Sequence, residues 1–151
     1  MEKFKIAVVI SILVVVLIAY LDIGGVILLG EEYTQGNFPA DFWNHFRNSA
    51  LLIMLIVPLV YFFYRKDKSE TLAIFLTSFT LWTFGLADVL FFWLQGKAVP
   101  KALPWLNAHP IIGRISQLSG WETVSGDSLV ISVLLGIVVV YILVKLLKNK
   151  L

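Results

Sequence analysis

Two carboxylates, Asp22 and Asp88, stand inside otherwise apolar stretches of the chain. An acid at the centre of a spanning helix costs about 2.5–3.5 kcal/mol on insertion, so each must be offset by something nearby. Two kinds of offset are open. The acids could be hydrogen-bonded or protonated glue between helices, or they could bind a proton or cation as part of a functional site. On a continuous helix Thr77, Asp88 and Gln95 share one face, with Thr80 and Gly85 at its margins, and Ser11 and Asp22 share a face of an earlier helix. Both acids fall in the outer half of their spans, roughly 7–8 Å from the bilayer centre. They are therefore expected to form the floor of a polar pocket open to the outer side. A shorter first span would instead leave Asp22 at the membrane interface.

A second cluster is Asp41, His45 and Asn48, at i, i+4 and i+7 on one helix face. A carboxylate and an imidazole at that spacing can reach one metal ion, and can equally form an interfacial ion pair. Glu31, Glu32, His109 and Glu122 are expected on the same side of the membrane, and Arg47 at the rim could neutralise Asp22, Asp88 or an anionic head group, or simply snorkel. The candidate catalytic pair is Asp88 with His45. The candidate polar pocket is Asp22, Asp88, Arg47, Asn48, His109 and Glu122, and the candidate metal ligands are Asp41 and His45. No cofactor is named by these residues. Nucleotide loops, zinc-protease helices, nucleophile elbows and GxxxG repeats are absent, and without cysteine there is no disulfide, thiolate nucleophile or sulfur-ligated metal.

The elements that must position these residues follow from composition. Of 151 residues, 59% are hydrophobic and 15% charged, against roughly 45–50% and 25% in a soluble domain, so much of the surface must face lipid. A net charge of +2 is too slight to suggest a nucleic-acid partner. A span needs about 20 mostly apolar residues, and four segments qualify, at about 6–29, 47–64, 71–94 and 128–147. The expected fold is one all-α integral membrane domain over 1–151, with outer loops at 30–46 and 95–127, the longer forming an extracytoplasmic cap. Lys3 and Lys5 before the first apolar run resemble a signal n-region, but no small-x-small cleavage site follows, which favours an uncleaved span. Pro58 is expected to kink the second span, and Asp127 to cap the fourth.

Eight basic residues (Lys3, Lys5, Arg65, Lys66, Lys68, Lys145, Lys148, Lys150) fall on the amino-terminal side, and four (Arg47, Lys97, Lys101, Arg114) on the other. Both termini are therefore expected in the cytoplasm of a multi-pass cell-membrane protein. Trp43, Trp93, Trp105 and Trp121 gather near the outer interface, as headgroup anchors do. Residues 31–45 hold a turn and then a helix start with Pro39 in its first turn, so the second helix can begin above the membrane. Ile111, Ile115 and Leu118 recur at helical spacing, consistent with a short surface helix or with a packed loop. Ser11, Asp22, Leu28 and Gly30 reappear 66 residues later as Thr77, Asp88, Leu94 and Gly96, as a duplicated hairpin or chance would both produce.

Three functional classes fit. The first is a non-catalytic membrane subunit or accessory protein, with the bilayer and a larger membrane complex or homo-oligomer as partners. The second is a membrane enzyme acting on a lipid or isoprenoid head group by acid/base or metal-assisted chemistry. The third is a small oligomeric proton- or cation-coupled transporter, disfavoured because the inner halves of the spans read as nearly uninterrupted apolar residues.

Overall fold

The computed structural model describes the backbone of residues 2–29 and 40–150 and the side chains of residues 4–27 and 45–148. Among the described residues every regular element is helical: α1 (Glu2–Leu29), α2 (Ala40–Arg65), α3 (Lys68–Thr83), α4 (Leu86–Leu94), a 3₁₀ turn (Pro104–Leu106), α5 (Ile112–Leu118) and α6 (Gly126–Lys150). Three of them carry stretches long and apolar enough to cross a membrane: Phe4–Ile27, His45–Arg65 and Gly126–Lys148. α3 and α4 qualify together as a fourth.

That fourth element departs from the continuous helix expected over 71–94. It breaks after Thr83, and α4 leaves α3 at 70°. The break is fixed by packing more than by local propensity. Phe84 donates its backbone N–H to Thr80 O, Gly85 closes a tighter turn onto Trp82 O, and Gly85 then takes φ +88°, a left-handed conformation unfavourable to any residue with a Cβ. A Cβ at Gly85 would clash with Leu129 Cδ1 and come within 2.9 Å of Ile112 Cδ1. Phe84 in turn lies against Gly136 of α6, where a Cβ would meet its ring at 2.9 Å.

α3 is the hub. It packs against α1, α2 and α6, which accounts for its buried face of Glu70, Ala73, Ile74, Thr77, Ser78, Thr80 and Leu81, mostly small or polar. Small side chains let backbones approach closely where lipid offers no hydrophobic drive. The other long helices turn apolar residues outward instead, among them Leu13, Leu17, Leu59, Val60, Leu134 and Val138.

Two hairpin details set the boundaries. α2 begins at Ala40, ahead of its apolar stretch, and ends where Lys66 adopts φ 55° and donates to Phe62 O, with its ammonium 5.1 Å from the Phe63 ring centroid. Asp67 then caps α3 by accepting the N–H groups of Ser69 (3.0 Å) and Glu70 (3.1 Å). For α6 the cap is Ser125 rather than the expected Asp127. Ser125 Oγ accepts from Ser128 N (3.1 Å) while Ser128 Oγ accepts from Ser125 N (2.8 Å), a reciprocal box that leaves Asp127 exposed in the first turn.

Candidate functional site

α4 is a shelf between two cores. Leu86, Leu90 and Leu94 face the core between the long helices, built on Val14, Val15, Ile18, Ala19, Met54 and Leu81. Val89 and Phe92 face a second core formed by Leu103, Leu106, Ile112, Val124 and Leu129. That second core is the interior of the cap, so the segment between α4 and α6 is a packed unit. Leu103 N donates to Val124 O (2.7 Å), Asn107 Oδ1 accepts from Val124 N (2.7 Å), and Ser116 Oγ donates to Thr123 O (3.0 Å). Over residues 111–118 a helix does form, α5, packed on α6, but its buried face is Ile112, Gly113 and Ser116 rather than the Ile111, Ile115 and Leu118 stripe, Leu118 being 88% exposed.

Asp88 lies in the first turn of α4, where the exposed N–H groups and helix dipole favour a carboxylate. α4 packs on α1, and Asp22 and Asp88 are close enough for their charges to interact. Among the described residues neither carboxylate has a hydrogen-bond partner on a neighbouring helix or an ion-pair partner, and both are half-buried. The Asp88 carboxylate lies beside Gly85, its Oδ2 3.7 Å from where a Cβ there would sit. The expected common face of Thr77, Asp88 and Gln95 does not exist as drawn, because the break resets the helical register between Thr77 and Asp88. Thr77 is buried in α3, and Gln95 ends α4 with its Nε2 donating to Phe91 O (3.0 Å).

The remaining candidates are spread over α2 and the segment between α4 and α6. His45, Arg47 and Asn48 are exposed on α2, and Glu122 is exposed in the cap. No hydrogen bond joins His45 to Asp88 among the described residues. Asp41 belongs to the first turns of α2, but its side chain, like Glu31 and Glu32, lies outside the described residues, and so does the Asp41–His45 pairing. Among the described residues no three His, Asp or Glu side chains gather as a metal-holding group. His109 has a structural task. Its Nδ1 accepts the N–H groups of Ile111 (3.4 Å) and Ile112 (3.3 Å) at the start of α5, and burial pushes its pKa below the usual 6.5.

A second polar group went unread in the sequence. Glu70 is 2% exposed, and its Oε2 accepts from Tyr61 Oη at 2.5 Å while Oε1 is buried with no hydrogen-bond partner. Further along α3, Ser11 Oγ lies 3.1 Å from Ile74 O and Ser78 Oγ lies 2.7 Å from the same carbonyl, with Thr77 buried alongside. The Asp67-x-x-Glu70 capping spacing was the available signal, since it puts Glu70 in the first turn of α3, in line with Ala73, Thr77 and Leu81. No protein-family model, curated protein or solved structure matches this chain.

Proposed function

We propose that this is a multi-pass cell-membrane protein of four crossings, α3 and α4 together making the third, with both termini cytoplasmic. It acts as a non-catalytic subunit or accessory protein that receives a partner at its extracytoplasmic face. The excess of basic residues on the amino-terminal side supports the orientation. One observation carries the function: α4 joins a hydrogen-bonded cap to the membrane core, so the outer face is a built surface rather than a set of loops. That face leaves Trp93 70% and Leu118 88% exposed, and beneath it the Asp22–Asp88 pair lacks any counter-ion among the described residues. An acid pair with no base beside it among the described residues suits a cationic group brought by the partner. The test is affinity purification of the tagged wild type and of Asp88→Asn from native membranes. A specific complex that forms with the wild type and is lost in the equally abundant variant supports the reading. A wild type that is monodisperse and complex-free, with unaltered cell phenotype in Asp88→Asn, overturns it.

A second reading, proton- or cation-coupled transport, is favoured by the inner polar group. Glu70, Ser11, Thr77 and Ser78 interrupt what the sequence suggested was an apolar inner half. Flux into proteoliposomes that is abolished by both Glu70→Gln and Asp88→Asn would select this reading over the first.

A further inference from the structure

α1 and α6 both pack on α3 but scarcely touch each other, and near the two chain ends they part around a groove of about 800 Å³. Its walls are apolar, from Phe4, Val8 and Val9 on α1 and Tyr141 and Val144 on α6. Among the described residues its charged lining is Lys5, Lys145 and Lys148, with no carboxylate. Tyr141, Lys145 and Lys148 stand at i, i+4 and i+7, so one face of α6 changes from apolar to cationic along the groove. Its volume falls within the roughly 300–1,000 Å³ of small-molecule sites. We propose that this groove binds one anionic phospholipid of the leaflet that holds the chain termini, its phosphate among the three lysines and an acyl chain against Val8, Val9 and Val144.

Charge complementarity selects the occupant. A lipid without phosphate would fill the apolar walls but leave three ammonium groups unmatched, and a zwitterionic one brings a cation of its own beside its phosphate, whereas an anionic head group offers the lysines net negative charge at the depth where they reach the interface. A basic gap between spanning helices on the cytoplasmic side is a recurrent setting for such head groups. The inference requires membrane insertion and is independent of the outer acid pair, so its failure would leave the function proposed above untouched.

The full chain in nanodiscs, probed with spin-labelled phosphatidylglycerol and phosphatidylcholine, tests it. The wild type is expected to prefer phosphatidylglycerol, each lysine contributing about fivefold, and Lys5→Gln/Lys145→Gln/Lys148→Gln to bring the two lipids within about twofold. Val9→Trp, at an exposed groove position, is expected to displace the labelled chain with the lysines intact. Lys66→Gln/Lys68→Gln, outside the groove, is expected to leave the preference unchanged. Equal association of the two lipids with the wild type, a preference surviving the triple substitution, or equal loss in the Lys66/Lys68 variant would overturn the proposal. Displacement of the lipid label by soluble glycerol phosphate would also overturn it, by assigning the lysines to a free anion.

Discussion

The two ends of α3 each place a carboxylate below the protein surface, and they satisfy it in opposite ways. At the inner end Glu70 is sealed within the helices and takes the Tyr61 hydroxyl, a neutral donor supplied by the fold itself. At the outer end Asp88 sits just past a break, half-buried, with a second acid for a neighbour and no donor from another helix among the described residues. Glu70 is matched at one oxygen by that neutral donor, while its buried Oε1 has no hydrogen-bond partner among the described residues. Two neighbouring acids call for a proton or cation between them, and the proposed function rests on that contrast.

The largest effect is expected where the outer end is built. Gly85→Ala forces a Cβ into a left-handed residue under Leu129 and Ile112, and should cost about 2–5 kcal/mol from backbone strain and overpacking together. Thermal unfolding in detergent, with protease sensitivity of the cap, measures this. An unchanged midpoint would mean that the break is not held by packing. Next, Tyr61→Phe should cost about 1–3 kcal/mol by leaving a buried carboxyl without its donor. Glu70→Gln should cost less, because the amide oxygen still accepts from Tyr61. If the glutamine variant is the worse of the two, the inner acid is more than a structural acceptor and the contrast between the ends collapses.

A double-mutant cycle sharpens the outer half of the comparison. Asp22→Asn and Asp88→Asn each remove one member of the acid pair, so they should couple by at least about 0.5 kcal/mol in unfolding free energy. Values that simply add would separate the pair. The smallest effect is a pH dependence confined to the cap. Burial lowers the pKa of His109, so the unfolded cap binds more protons than the folded one. Cap stability should therefore be level above about pH 7 and decline as pH falls through and below 6.5, when protonation of Nδ1 ends its acceptance from Ile111 and Ile112. Hydrogen exchange of α5 amides at several pH values measures it, and His109→Ala should flatten the response.

The apolar lengths of α1, α2 and α6 were legible, because about 20 residues without charge have few other solutions. The break in the third segment was not. Phe84-Gly85 lies in an unbroken apolar run, and single glycines are common in membrane helices. What fixes the break is Leu129, Ile112 and Gly136, all distant in sequence. Glu70 was lost for a related reason, since it reads as one more charge in the Arg65–Glu70 turn until Tyr61 is seen to cover it. The depth of Asp88 was counted along a continuous helix, and the 70° turn of α4 away from α3 removes the basis of that count. That Asp22 and Asp88 interact depends on α4 turning back against α1.

The central position of α3 has a consequence for how the protein is made. Its 16 residues span about 24 Å, short of a hydrocarbon core of roughly 30 Å, and they carry hydroxyls and an acid on the face that neighbours later cover. During synthesis α1 and α2 emerge first and α6 last, so for the time taken to translate the cap, α3 is only partly enclosed. α3 therefore completes its packing only once α6 has emerged, which makes α6 the last of its partner helices to be supplied.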